Sequence, residues 1–158
     1  MVNIYYCEMK RIFAILIAMS LWLSVSVVAH DGYEKWNEFW KRWEYYDSNG
    51  NMTGYKKWND FWKRMEYYDA KGNLVKTEKR DDFHKRMEER DKKGNVTQTR
   101  RHDKFHDREE IRDSHGNLIG YRKWNNFWER WEEFDAHGNM TGYYKWNNIW
   151  ERWEYHKK

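Results

Sequence analysis

The chain has 158 residues, with 30 Lys and Arg against 26 Asp and Glu, a formal net charge of +4 and a single cysteine. One cysteine excludes an internal disulfide. Because acidic and basic residues alternate along the whole chain, we expect no dedicated nucleic-acid surface. Aromatic residues make up 20% of the chain, which includes 12 Trp, and aliphatic residues are scarce, so the sequence predicts a core built from rings.

The first 29 residues have the composition of a secretory signal. Lys10-Arg11 precede a 17-residue apolar run from Ile12 to Val28, and Ala29 offers a small residue for cleavage. We therefore predict a signal peptide at residues 1–29 and a mature domain at residues 30–158, which is secreted, periplasmic or on the cell surface and free of the membrane after cleavage. The alternative is an uncleaved N-terminal anchor, for which 17 apolar residues are the lower limit.

The remainder of the chain consists of six copies of a 22-residue repeat. Self-similarity at a fixed period indicates stacked supersecondary units, none of which can bury its apolar face alone. The units begin at Gly32, Gly54, Lys76, Gln98, Gly120 and Gly142.

Two secondary structures compete for each unit. The apolar positions within Trp36–Trp43 follow the i, i+3, i+4, i+7 spacing of an amphipathic helix. Phe105 and Ile111, the main apolar pair of the fourth unit, lie six residues apart, which places them on one face of a strand but on different faces of a helix. Richness in Trp, Tyr and Phe also favours strands. The sequence therefore predicts β-hairpins, with a helical repeat as the alternative.

A polar five-residue segment separates successive units. Asp47-Ser48-Asn49-Gly50-Asn51 recurs at Asp69–Asn73, Asp91–Asn95, Asp113–Asn117 and Asp135–Asn139. Asp at the first position and Gly at the fourth are typical of a type I turn followed by a glycine bulge, so we expect these glycines to have positive φ.

Each unit is expected to contain two strands. In the second unit, one strand runs from Met52 to Trp58, Asn59-Asp60 forms the turn, and Phe61 to Asp69 returns. The prediction is an all-β fold of about twelve strands, arranged as an elongated meander or an open solenoid.

The residues around this turn resemble known aromatic repeats. The segment from Tyr45 to Lys57 is similar to the Trp-Tyr-Tyr, Asn/Asp-Gly turn and Gly-Trp-x-Lys pattern of choline-binding and glucan-binding cell-wall modules. It also resembles MORN-variant repeats and the YD repeats of secreted toxins. The resemblance implies a solenoid of hairpins and a binding role at the cell envelope.

Three slots of the repeat keep one chemical character in every unit. The Phe39 slot is always apolar, the Arg42 slot is always Arg, and the Glu44 slot is always Glu. Since Arg42 and Glu44 share a face of a strand, we expect alternating Arg–Glu ladders across stacked units, which set the register and protect sheet edges.

The tryptophans form two clusters in the sequence, one at each end of the array. On a strand, the Trp40 slot lies opposite the apolar Phe39 slot, so a single layer cannot bury both. Exposed rings stack on sugar faces or on quaternary ammonium groups, whereas buried rings simply form the core, and the sequence leaves both interpretations open. The candidate ligand platform comprises Trp36, Trp40, Trp58, Trp62, Trp124, Trp128, Trp146 and Trp150.

The two middle units carry His84, His102 and His106 in place of tryptophans. These side chains are possible metal ligands, but no established spacing motif is present, so we interpret them as solvated replacements and expect no metal and no cofactor. No nucleophile–base pair or phosphate loop is evident, and we expect no enzyme. Two functions remain: a module that binds cell-envelope or extracellular glycans, or a structural array that binds protein partners.

Overall fold

The computed structural model describes residues 32–158, so the predicted signal peptide lies outside the described residues. Twelve antiparallel strands form one closed barrel. Among the described residues, no helix is long and apolar enough to cross a membrane. The strands are β1 (Tyr33–Asn37), β2 (Arg42–Tyr46), β3 (Met52–Asn59), β4 (Arg64–Asp69), β5 (Leu74–Asp81), β6 (Arg86–Asp91), β7 (Val96–Asp103), β8 (Arg108–Asp113), β9 (Leu118–Asn125), β10 (Arg130–Asp135), β11 (Met140–Asn147) and β12 (Arg152–Lys157).

Each strand pairs with its neighbours in sequence, and the last strand pairs with the first. The closing ladder joins Tyr33 to Glu154 and Lys35 to Arg152, and the Tyr155 amide donates to the Gly32 carbonyl at 2.9 Å. The all-β class and the twelve strands are confirmed, and the helical alternative is wrong. The open meander or solenoid is also wrong, because the sheet curls until its two edge strands meet and satisfy each other's backbone groups.

The five connecting turns between units have the predicted geometry. The Asp47 amide donates to the Asn51 carbonyl at 3.0 Å, and the Gly50 amide donates to the Asp47 carbonyl at 3.1 Å. The Asp47 carboxylate also accepts hydrogen bonds from the Asn49 and Asn51 amides at 2.9 and 2.8 Å. The turn glycines have φ between 83° and 90°, which confirms the glycine bulge.

The turns inside the units differ from the prediction. In the second unit the last strand pair is Asn59 with Arg64, which leaves a four-residue hairpin loop, 60–63, instead of a turn at Asn59-Asp60. Phe61 therefore lies in the loop and not in a strand. Phe105 likewise lies in a loop while Ile111 lies in β8, so the strand prediction is correct although this pair does not share a strand face.

One face of the sheet encloses the lumen of the barrel. Lys56 on β3 donates to Glu34 on β1 at 3.2 Å, and Arg100 on β7 donates to Glu78 on β5 at 2.8 Å. These pairs join strands that are not neighbours, so their side chains lie on the concave side. The residues at this slot of the six units are all buried: Glu34, Lys56, Glu78, Arg100, Arg122 and Tyr144.

The lumen therefore contains charge as well as rings. Met65, Tyr67, Tyr144 and Trp153 are the buried hydrophobic residues of the described chain, which is too few to form the core alone. Five ion pairs accompany them, each joining residues from different strands, and burial without such pairing would be costly. The pairs are Glu34–Lys56, Glu78–Arg100, Glu89–Lys76, Glu109–Arg122 and Glu109–Arg100.

Glu133 is the lumen carboxylate for which the described structure shows no ion pair within 4.0 Å. Burial raises its pKa from 4.5 to about 7, although the nearby Arg122 opposes the shift. Between pH 4.5 and about 7 the folded state therefore holds a proton that the unfolded chain has already released.

On the outer wall, Arg and Glu share a face as predicted. The Arg42 guanidinium donates through Nε and an Nη atom to the Glu44 carboxylate at 2.8 and 2.6 Å, and the Tyr46 hydroxyl donates to the same carboxylate at 2.7 Å. Because these residues lie two apart on one strand, the pairs run along each strand. The expected ladder across stacked units is therefore replaced by six separate pairs within strands.

Replacing Gly72 by Val should lower the free energy of unfolding by roughly 1 kcal/mol or more, because a side chain at φ +85° meets the left-handed backbone penalty. Urea unfolding measures this loss. Lys71→Val in the same turn, where φ is not positive, serves as the control and should cost clearly less; equal losses would contradict the turn assignment.

Replacing Glu133 by Gln should change how stability depends on pH. Because the pKa of Glu133 is raised in the folded state from 4.5 to about 7, its contribution is complete below pH 4.5 and is lost as the pH rises through 7. Glu133→Gln should therefore gain roughly 1–3 kcal/mol over the parent protein by pH 8 and little at pH 4. Unfolding at a series of pH values tests this, with the exposed Glu129→Gln as control; a gain that is independent of pH would contradict the assignment.

Candidate functional site

All six hairpin loops lie at one end of the barrel, because every hairpin has the same orientation in an antiparallel ring. We call their central side chains the aromatic rim. Phe61 is 82% exposed and Trp62 is 55% exposed, although large rings are usually buried. The aromatic rim comprises Phe39, Trp40, Phe61, Trp62, Phe83, His84, Phe105, His106, Phe127, Trp128, Ile149 and Trp150.

The rim rings have defined positions. Phe39 and Trp40 contact each other edge to face, with centroids 4.9 Å apart and an interplanar angle of 89°. The Asn37 side chain accepts a hydrogen bond from the Trp40 amide at 3.0 Å, and Lys41 ends the loop with φ 49°. The other loops repeat this geometry with Asn or Asp at the Asn37 slot. Each loop therefore holds two adjacent exposed side chains in a fixed arrangement; both are rings in five units, and the sixth has Ile149 beside Trp150.

The Arg42 slot supports the rim from the outer wall. The Arg42 guanidinium lies 5.6 Å from the centre of the Trp40 ring and 4.1 Å from the Tyr55 ring of the next unit. Its hydrogen bonds to Glu44 fix the guanidinium plane. Arg forms these cation–π contacts and the forked carboxylate contact at the same time, which Lys cannot do. The carboxylate contact recurs in all six units, and a cation–π contact accompanies it at Arg42, Arg64, Arg108, Arg130 and Arg152.

The Trp36 slot surrounds the mouth of the lumen, just inside the rim. Trp36 is 37% exposed and packs edge to face on Trp43 at 5.6 Å, and its Nε1 atom donates to Glu38 at 2.6 Å. Trp58 is 51% exposed, whereas Trp124 and Trp146 are half-buried. The eight predicted platform residues thus divide into four exposed rim rings, Trp40, Trp62, Trp128 and Trp150, and four mouth rings that also cover the core.

Closure of the barrel makes one site from the two sequence clusters. The fifth, sixth, first and second units are consecutive around the ring because β12 pairs with β1. We call their rim tryptophans, Trp128, Trp150, Trp40 and Trp62, the Trp arc. The third and fourth units complete the circle, and we call their rim histidines, His84 and His106, the His arc. The periodicity had shown these clusters, but their adjacency was not visible in the sequence.

The structure does not bring the three candidate metal ligands together. His84 Nδ1 lies 2.5 Å from Asp81, His106 Nδ1 lies 2.5 Å from Asp103, and His102 is 3.8 Å from Asp107. These hydrogen bonds lower the pKa of Asp81 and of Asp103 below the ordinary value. Within residues 32–158, no three His, Cys, Asp or Glu side chains form a group suited to a metal ion. Each histidine is instead paired with a carboxylate of its own unit.

Comparison with known proteins supports the fold but carries no functional information. No family model matches the chain, and none of the curated proteins matches it. A crystal structure of a protein from Arabidopsis thaliana superposes with a TM-score of 0.60 at 12% identity, over 80% of this chain and 79% of that one. A likeness at this identity shows the fold alone.

Replacing an exposed rim ring should leave the barrel stable. We expect Trp62→Ala to change the free energy of unfolding by less than about 1 kcal/mol, since the ring is 55% exposed. Trp153→Ala, at a ring that is only 4% exposed, should cost about 3–5 kcal/mol. Thermal unfolding followed by circular dichroism compares the two variants; a large loss from Trp62→Ala would place the rim ring in the core.

Proposed function

We propose that this protein is a secreted, non-catalytic module that binds cell-envelope or extracellular glycans through the Trp arc. The observation that carries the proposal is the exposure of four tryptophans, between 53% and 62%, on adjacent loops at one end of the barrel. Such rings contribute little to the core, and contiguous exposed apolar surface in a protein is commonly an interaction site.

The chemistry of the rim suits sugars. A pyranose ring offers an apolar C–H face and polar edges, and a flat indole that is already held in place binds the face with little loss of conformational freedom. Each indole of the Trp arc has an arginine beneath it, 5.6–5.8 Å from the ring centre, which limits its movement. Edge-to-face contact with Phe39, Phe61 and Phe127 further orients the rings of Trp40, Trp62 and Trp128.

The repetition favours a polymer as the ligand and binding as the activity. Four similar loops around one rim bind successive parts of a repeating chain, and linked weak contacts raise the overall affinity. Catalysis needs one set of residues in one special environment, whereas the four loops of the Trp arc each present a tryptophan beside an apolar side chain. The resemblance of Tyr45–Lys57 to choline- and glucan-binding repeats agrees with this proposal.

A protein partner is the second candidate. The rim places ten large apolar side chains around one end of the barrel, including Phe83 at 88% and Phe105 at 91% exposure, outside the Trp arc. Apolar side chains spread around the whole end suit a broad protein surface better than a single sugar chain. The two candidates differ in whether the rim residues of the third and fourth units contribute to binding.

Titration with soluble polysaccharides, followed by tryptophan fluorescence and by affinity electrophoresis, tests the proposal. Each of Trp40→Ala, Trp62→Ala, Trp128→Ala and Trp150→Ala should weaken binding roughly 5- to 30-fold, because base–aromatic stacking is worth about 1–3 kcal/mol and sugars belong at the lower end of that range, about 1–2 kcal/mol. His84→Ala and His106→Ala are the matched controls at the same slot and should change binding little.

The pattern of losses distinguishes the candidates. If no glucan, chitin-type or envelope polysaccharide changes the fluorescence of the parent protein, the glycan proposal is wrong. If Phe83→Ala and Phe105→Ala impair the cellular role as strongly as the Trp variants do, the protein-partner interpretation becomes the better one.

A further inference from the structure

Every unit places one exposed cation on the outer wall just below the rim. This slot precedes the mouth position, so Lys35 lies next to Trp36 in sequence but points to the opposite face of the strand. All six members are exposed, and within the described chain none makes an ion pair within 4.0 Å. We call this ring the basic belt, and it consists of Lys35, Lys57, Lys79, Arg101, Lys123 and Lys145.

The acids near the basic belt are already neutralised. Glu44 lies directly across the strand pair from Lys35, yet it is only 6% exposed and is bonded to Arg42 and Tyr46. The same contacts to the Arg42 slot occupy the corresponding glutamates of the other five units. Four other glutamates lie in the lumen and are paired with lumen cations: Glu34, Glu78, Glu89 and Glu109. The belt cations therefore face solvent without an opposing exposed carboxylate on their own wall.

The outer wall therefore carries an excess of exposed positive charge, which the mixed charges of the sequence do not predict. Acidic and basic residues alternate along the chain, but strand alternation places several glutamates in the lumen, and the Arg–Glu pairs occupy the glutamates of the outer wall. The belt cations stay exposed and form no ion pair with any described residue, although Lys57 and Lys123 also lie over the rings of Tyr68 and Phe134. A ring of such exposed cations, directly below the exposed aromatic rings, complements a ligand with apolar sugar faces and negatively charged groups.

We propose that the glycan bound by the Trp arc is acidic, and that the basic belt binds its carboxylate, phosphate or sulfate groups. This inference rests on the proposed function and specifies its ligand class. The sugar faces stack on the rim indoles, and the acidic groups lie along the outer wall toward the belt. Lys35 and Lys145 occupy the centre of the Trp arc, because their units adjoin at the barrel closure.

Two exposed acids act against this attraction. Glu129 and Glu151 lie in the loops of the fifth and sixth units, where the first two units carry Lys41 and Lys63. Lys41 and Lys63 are paired with Glu38 and Asp60 of their own loops, whereas Glu129 and Glu151 have no ion pair among the described residues. Replacing both by Gln should strengthen binding of an acidic glycan.

The test compares one sugar backbone with and without charge. Polygalacturonate and its fully methyl-esterified form are titrated into the protein purified from full-length expression, at low and at high salt. We expect tighter binding of the acidic form and a loss of this preference at high salt, because exposed charges are screened. Tryptophan fluorescence and affinity electrophoresis report the binding.

A matched pair of double variants shows which cations of the basic belt bind the acidic glycan. Lys35→Gln/Lys145→Gln removes two belt cations at the centre of the Trp arc, and Lys79→Gln/Arg101→Gln removes two from the same slot in the third and fourth units. The net charge change is identical, so a non-specific effect moves both equally. We expect the first variant alone to lose affinity for polygalacturonate, by roughly three- to tenfold, with unchanged affinity for the esterified form.

The outcomes separate this inference from the proposed function. Equal, salt-independent binding of both forms overturns the inference and leaves glycan binding intact, whereas binding of neither form, nor of any other acidic or neutral polysaccharide, overturns both. Equal losses from the two double variants overturn the role of the belt at the Trp arc. Tighter binding of an oligothymidylate or of anionic lipid vesicles, with the same Trp dependence, overturns the assignment to a glycan.

Discussion

The hydrogen-bonded ladder between β1 and β12 is the contact on which the rest of the barrel depends, because it joins the first unit to the last. Arg152 of the last unit also stacks on Tyr33 of the first at 4.0 Å, repeating a contact that Arg42 makes with Tyr55. The closing junction therefore uses the same side-chain chemistry as the junctions inside the array. With no free edge strand among the twelve, a protein poor in aliphatic residues avoids edge-to-edge association without a large hydrophobic core.

Closure also determines how charge is distributed. A closed sheet has one concave face, and side chains at alternate positions of each strand must enter it. Here those positions carry carboxylates and cations together with rings, and ion pairs between strands such as Glu34–Lys56 and Glu78–Arg100 compensate much of the desolvation. The outer positions carry the Arg–Glu pairs, and the cations of the basic belt remain exposed there without an ion pair to any described residue. A sequence of evenly mixed sign thus becomes a molecule whose interior charges are mostly paired and whose outer wall carries a ring of exposed cations.

The two ends of the barrel have different chemistry for the same topological reason. The connecting turns at one end are polar and are stabilised by Asp side chains that accept backbone hydrogen bonds. The hairpin loops at the other end expose ring pairs that are fixed by Asn or Asp below them and by arginines beside them. Because six equivalent loops meet at one end, weak single-loop contacts combine into one surface, and this is the basis for the proposed binding of a polymeric ligand.

Local sequence patterns predicted the 22-residue period, the two strands per unit and the Asp-to-Gly turns, because these depend on local side-chain chemistry and backbone conformation. They also identified the residues of the Trp arc, although the assignment of Phe39 and Trp40 to opposite strand faces was wrong, since a four-residue loop lifts both rings out of the sheet. The closure of the array, the adjacency of the two Trp clusters and the ion pairs of the lumen could not be predicted from the repeat and became visible in the folded barrel. Those features depend on the twist and register that accumulate over all twelve strands, so they cannot be predicted from one repeat alone.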